Sequence, residues 1–295
     1  MGRDDGDTVL PRLTDHSIAD ALAQATTGHA LAPREGPVLL AHVLQRGRTW
    51  LIAHADTLLS PTQRAHFERL VRRRQHGEPL AYLVGEREFF GHRIAVSPSV
   101  LIPRPETELL VEWSITQLLP RAQVLELATG SGAVAIALAL ARPDCQILAT
   151  DRSHCALAVA RANARRLLAQ TPGQSADRLQ FAQGDWYGAL DRSAQRFDCI
   201  LANPPYVAQQ DPHLQQGDLR FEPPGALASG LQGLDAIEVI VAGAGARLKP
   251  GGALMIEHGY DQGGAVRELM QNAGLQNVTS LRDLAGHDRV STGVR

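Results

Sequence analysis

From Gln123 to Asn272 the sequence repeats one unit, a short apolar run, a turn and a longer stretch with helical spacing. "QVLEL" precedes "GAVAIALALARP", and "QILAT" precedes "HCALAVARANARRLLAQ". "RLQFAQ" and "FDCILA" follow, then a helix over about 234–248, "ALMIEH", and a helix over Gly263–Asn272. Alternation of this kind constrains the chain to an α/β fold: a doubly wound, mostly parallel sheet with helices on both faces. The tail "NVTSLRDLAGHDRVSTGVR" adds two short strands with no helix between them, so an antiparallel hairpin is expected at the sheet edge. Seven strands result.

Upstream the pattern is different. "SIADALAQATTG", "PREGPVLLAHVLQ" and "SPTQRAHFERLVRRRQHG" read as helices, the last opening on a Ser-Pro start and closing on basic residues and a glycine. Arg72, Arg73 and Arg74 suit the negative end of a helix dipole and read as a solvated helix end. Between Tyr82 and Ile102, short β-type runs broken by glycine and Ser-Pro predict a linking hairpin. The expected organisation is a helical domain over 1–77 with a frayed leader over 1–16, a β-hairpin link over 78–105, and the α/β domain over 106–295.

Composition removes several classes of function. A 44% hydrophobic content builds an ordinary globular core, and no apolar run reaches the roughly 18 residues that cross a bilayer. The first residues carry no apolar block after their charges, which excludes a secretory signal and points to the cytoplasm. A net charge of -2 gives no drive toward nucleic acid. Cys145, Cys155 and Cys199 have no metal-binding spacing and are expected to be reduced, buried thiols, so no metal site is expected.

In doubly wound sheets ligands bind beyond the carboxyl ends of the strands. After the first strand comes Ala128 and the turn Thr129, Gly130, Ser131 and Gly132, which leads into a helix N-terminus and lets backbone approach a ligand. After the second comes Asp151, where an acidic side chain can accept hydrogen bonds from a ribose diol. The pair points to an adenosine-containing cofactor. After the third come Asp185, a candidate acceptor for an adenine amino group, and Trp186, either a cover for a ring face or a core aromatic.

After the fourth strand comes Asn203-Pro204-Pro205-Tyr206. Asn203 offers a side-chain carbonyl, and Pro204 has no amide hydrogen and leaves its own carbonyl free. Two acceptors converging on one spot can hold both N–H groups of a planar amide or amine and turn its nitrogen lone pair toward an electrophile. Tyr206 can stack on the plane that carries the nitrogen. A strand ended by a Pro-Pro turn would explain the prolines, but neither the asparagine nor the tyrosine. Glu257 and His258, at the end of the fifth strand, read as structural.

With "LIPRPETELLVE", "NPPYVAQQDPHLQQGDLRFEP" and "LMIEHGYDQG" added, the sequence from about Glu78 onward resembles the release factor glutamine methyltransferase family. The resemblance implies a class I S-adenosyl-L-methionine (AdoMet) methyltransferase fold and methyl transfer to the side-chain amide nitrogen of the glutamine in the Gly-Gly-Gln loop of class I peptide chain release factors. It implies contact with AdoMet through Ala128 to Gly132, Asp151, Trp186 and Asn203, alongside the candidate Asp185, and a hold on the glutamine by Asn203, Pro204, Pro205 and Tyr206; the chain is expected to be a monomer. Methylation of a ribosomal-protein glutamine or of a DNA adenine are the alternatives, the latter disfavoured because the chain lacks a basic recognition region.

The sequence departs from the family pattern at one turn. Ala128 stands where the family has glycine, and Glu126 where it has aspartate. If position 128 requires positive φ, alanine there costs about 1 kcal/mol or more and loosens AdoMet binding.

Overall fold

The computed structural model describes residues 17–27, 31–169, 176–190 and 195–295. The expected leader over 1–16 lies outside them. The chain divides into two compact units, up to Val84 and from Gly85 onward.

The first unit is helical: α1 (Ile18–Thr27), α2 (Glu35–Leu44), α3 (Arg48–Ala53), α4 (Pro61–Gln75) and α5 (Leu80–Val84). The Ser-Pro start is a reciprocal cap, in which Ser60 Oγ accepts from the Gln63 amide at 3.3 Å and Gln63 Oε1 accepts from the Ser60 amide at 2.9 Å. Leu39, Leu40, Phe67, Leu70 and Val71 are buried together in this unit's own core. The basic end of α4 is tied down as well as solvated, since Arg73 pairs with Glu78 at 2.5 Å and Arg74 with Glu35 at 3.0 Å. Helix α5 carries the unit to Val84, beyond the expected bound at Gly77, and takes Tyr82 out of the hairpin.

The second unit begins with the hairpin β1 (Glu86–Phe89) and β2 (His92–Ala95), turned by Phe90 and Gly91 with φ of 50° and 75°. A 3₁₀ turn over Pro105–Thr107 leads into α6 (Glu108–Gln117). Then come β3 (Gln123–Leu127), α7 (Ala133–Ala141), β4 (Gln146–Asp151), α8 (His154–Ala169), β5 (Leu179–Gln183), β6 (Phe197–Ala202), α9 (Asp235–Arg247), β7 (Leu248–Glu257), α10 (Gly263–Asn272), β8 (Gln276–Arg282) and β9 (Asp288–Val294).

The sheet order is β5-β4-β3-β6-β7-β9-β8, with the first five strands parallel and β9 antiparallel to both of its neighbours. The expected fold class holds. Strand order reverses at β3, the topological switch where such sheets open a crevice. Register puts the strand ends level there: Leu127 pairs with Thr150 on one side and Ala202 on the other, and Ala202 pairs with Ile256. Ala128, Asp151, Asn203 and Glu257 therefore leave the sheet side by side.

One cysteine departs from expectation. Cys145 and Cys199 are buried, but Cys155 is exposed, because it faces outward from the first turn of α8. No group of potential metal ligands occurs among the described residues, and no described helix is long and apolar enough to cross a membrane.

Candidate active site

A cavity of about 310 Å³ opens over the switch between β3 and β6. Its floor is the turn after β3. Ala128, Gly130 and Gly132 all have positive φ, at 57°, 56° and 81°. Three left-handed residues in five fold the chain tightly enough to start α7 at Gly132. The site of the missing Gly132 Cβ lies 3.1 Å from the Ala160 Cβ, so a larger residue would push α7 from α8. Ala128 takes the same conformation with a side chain attached, a strain of about 1 kcal/mol.

Asp151 braces this turn. Its Oδ2 accepts from the Gly130 amide at 2.9 Å and its Oδ1 from the Ser153 amide at 2.8 Å. Each oxygen keeps a further lone pair for a hydroxyl in the cavity. Glu126 lies deeper, 4% exposed, and its Oε2 accepts from Thr129 Oγ at 2.6 Å. Burial, reinforced by the neighbouring Asp151 charge, pushes its carboxyl up to about 8 against the opposing pull of the Thr129 hydroxyl. A cationic ligand group beside Glu126 would reverse that shift.

At the far wall Asp185 is exposed and precedes Trp186, whose φ of 46° turns it into the cavity lining. Trp186 also packs against the buried cluster formed by α9 and the sheet, so it lines the cavity and serves the core at once. On the opposite side Asn203 Nδ2 donates to Thr107 Oγ at 3.0 Å, which leaves Asn203 Oδ1 free to accept. Tyr206 is partly buried, and its hydroxyl donates to Glu257 Oε1 at 3.1 Å.

The cavity thus gathers Ala128, Thr129, Gly130, Ser131, Asp151, Asp185, Trp186, Asn203 and Pro205. Gly132, Pro204 and Tyr206 do not line it. Gly132 starts the helix, Pro204 is buried, and the Tyr206 hydroxyl is turned to Glu257.

Residues 16–85 match the PrmC N-terminal domain model and residues 105–218 the methyltransferase small domain model. A release factor glutamine methyltransferase from Burkholderia pseudomallei is 52% identical over 279 residues, covering 94% of this chain and 96% of that protein. One from Escherichia coli is 41% identical, covering 94% and 97%. The chain belongs to the release factor glutamine methyltransferase family. A methyltransferase from Pyrococcus furiosus, 19% identical with a TM-score of 0.50 over 70% of this chain and 89% of that one, shares the fold.

Within this family member the site has parts that strand-end reading did not find. Thr107, at the start of α6, is the partner of Asn203. Glu222, buried, accepts from the Ile102 amide at 2.9 Å and pairs with Arg104, fixing the segment before α6 at the cavity wall. Gly225 O accepts from Arg152 at 3.2 Å and draws Pro223 to Ala226 over the mouth. The signal for Arg104, Thr107 and Glu222 was their presence in "LIPRPETELLVE" and "NPPYVAQQDPHLQQGDLRFEP", whereas Gly225 lies beyond both stretches.

Proposed function

We propose that this enzyme transfers a methyl group from AdoMet to the side-chain amide nitrogen of the glutamine in the Gly-Gly-Gln loop of class I peptide chain release factors. The observation that carries the reading is the level exit of Ala128, Asp151 and Asn203 around one cavity. The donor set fits AdoMet: Asp151 for a ribose diol, Asp185 and Trp186 for an adenine, and Glu126 for an amino-acid ammonium. When bound, AdoMet supplies an electrophilic methyl group on a sulfonium.

The remaining chemistry belongs to the chain. Asn203 Oδ1 and the Pro204 carbonyl accept the two N–H bonds of the glutamine amide, fixing its nitrogen and favouring lone-pair density toward the methyl carbon. Tyr206, held by Glu257 outside the cavity lining, braces the segment that carries Asn203. AdoMet bound there would supply the methyl group to this nitrogen, which would pass one proton to water. No strong base is required, because the N-methylated, protonated amide is itself acidic. Glycines beside the glutamine let a substrate backbone approach without side-chain clashes.

The test is transfer of labelled methyl from AdoMet with purified release factor, ribosomal protein and duplex DNA offered side by side. Label on the Gly-Gly-Gln glutamine alone supports the reading. Label on the ribosomal protein or on adenine in its place overturns it.

A further inference from the structure

Asn203 and Glu257 follow the directly paired residues Ala202 and Ile256, so the two side chains leave neighbouring strands at the same level. Two members of the Asn-Pro-Pro-Tyr segment converge on this carboxyl. Tyr206 donates its hydroxyl to Glu257 Oε1 at 3.1 Å. Asn203 donates Nδ2 to Thr107 Oγ at 3.0 Å, and the Thr107 hydroxyl in turn faces Glu257 and favours its ionised form. Glu257 is 1% exposed, and its Oε2 has no hydrogen-bond partner among the described residues. An open acceptor at that depth is costly to folding, and a glutamine or methionine would avoid the cost.

Direction is what a carboxylate adds. An ionised carboxyl only accepts, so the Thr107 hydrogen must point toward Glu257. The Thr107 oxygen is then left to accept, and the Asn203 group that meets it must be the NH₂. The Asn203 carbonyl is thereby turned to the cavity.

We propose that Glu257 is a positioning residue for methyl transfer, an obligate acceptor that sets the direction of the chain Asn203 to Thr107 to Glu257 and so keeps the Asn203 oxygen, not its nitrogen, facing the substrate amide. This rests on the function proposed above. A group at position 257 that can donate would reverse Thr107 and let the Asn203 amide rotate, presenting a donor to the N–H groups it should receive. Protonation of Glu257 has the same effect. Burial is the main cause that raises its carboxyl to about 7, with Glu106 adding to the rise and Thr107, Tyr206 and Arg289 opposing it. Arg104 acts on the neighbouring Tyr206 hydroxyl, and the adjacent His258 has both ring nitrogens engaged, by Gly259 O at 2.8 Å and Ser291 Oγ at 2.9 Å.

The experiment compares wild type, Glu257→Gln and Thr107→Val for kcat against pH at saturating AdoMet with full-length release factor, alongside AdoMet affinity and thermal unfolding. Wild type should lose kcat as pH falls through about 7, as Glu257 gains its proton. Glu257→Gln should lower kcat by roughly 10-fold or more and remove that acid limb, because misorienting one acceptor is enough to cost such factors. AdoMet affinity should stay within about 2-fold, since Glu257 lies outside the cavity lining. Thr107→Val should lower kcat to a similar extent, and the double variant should be no worse than either single one, the mark of residues acting as one unit. The Thr107 variants carry the test if Glu257→Gln does not fold. Wild-type turnover with a Glu257→Gln rate and pH profile unchanged, or with additive losses in the double variant, overturns this inference alone. Absence of wild-type transfer to release factor overturns the proposed function and this inference with it.

Discussion

Gly130 and Asp151, 21 residues apart in sequence, are joined by a 2.9 Å hydrogen bond from the glycine amide to the carboxylate. The bond ties the turn after β3 to the end of β4. One side chain therefore shapes the loop and faces the cavity. Asp151→Ala removes the acceptor for a ribose diol and frees the Gly130 and Ser153 amides together. AdoMet affinity should fall by about 1–3 kcal/mol, the range for charge-assisted hydrogen bonds. Titration calorimetry decides it, and an unchanged Kd removes the ribose assignment.

Ala128 gives a prediction of opposite sign. Its φ of 57° places a Cβ in the left-handed region, where glycine carries no penalty. Ala128→Gly relieves that strain while giving the unfolded chain more freedom to lose, and the two effects nearly offset in stability. AdoMet binding carries no such offset, because the turn must hold its shape around the ligand. The variant should bind AdoMet more tightly by up to about 1 kcal/mol with a thermal midpoint near that of wild type. Weaker binding would show that the alanine side chain packs against the ligand.

The α/β unit and its strand-end residues were legible because the parallel strands are short, largely apolar runs and the site residues stand at or just beyond their ends. Helix α6 was not legible. Leu109, Leu110, Val111, Trp113 and Ile115 spread apolar side chains around its circumference, with prolines just upstream. Helices α3 and α5 are too short to show a period. Thr107 escaped notice and Glu257 read as merely structural for another reason. A threonine at a helix start and a glutamate at a strand end carry no chemical signature, and their partners lie 96 and 51 residues away in sequence. Only the sheet register brings them together.

Glu126 makes stability depend on pH. In the folded, ligand-free protein its carboxyl is held up to about 8, against about 4.3 in an unfolded chain. Between these values the folded state binds the extra proton, so stability falls as pH rises from about 4.5 to 8. Glu126→Gln removes that contribution, and its thermal midpoint should decline less over this range than that of wild type. An ammonium beside Glu126 favours the anion, so AdoMet binding near pH 7 should release a proton. Calorimetry in buffers of different ionisation enthalpy measures it, and zero release refutes the placement of the ammonium at Glu126.

Asn203→Ala removes one of the two acceptors proposed for the substrate nitrogen. The rate of methyl transfer should fall roughly 100-fold or more, as when one preorganised partner of a reacting group is deleted. AdoMet affinity should change far less, since Asp151, Asp185 and the turn remain. Turnover within a few-fold of wild type would mean that the amide is held by other groups.

The helical unit has a core of its own and also exposes large apolar side chains. Ile52 and Leu58 are 79% and 56% exposed. Nearby in sequence, Trp50 stacks on His54 with ring centres 4.1 Å apart, and Arg46 lies 5.5 Å from the Trp50 ring. Aromatic and arginine side chains dominate binding hot spots, and a glutamine tip in a small pocket supplies too little contact to hold a whole protein substrate. Residues 17–84 are therefore expected to grip the body of the release factor. Replacing Ile52 and Leu58 by serine alters exposed positions only, so the fold and AdoMet affinity should be retained. KM for full-length release factor should rise by roughly 10-fold or more, the cost of losing one hot-spot contact, while kcat and the slow transfer to a short Gly-Gly-Gln peptide stay the same. A KM for the full-length factor equal to that of wild type in this variant, and in a folded chain lacking residues 1–84, would leave the helical unit as a stabilising cap with no part in docking.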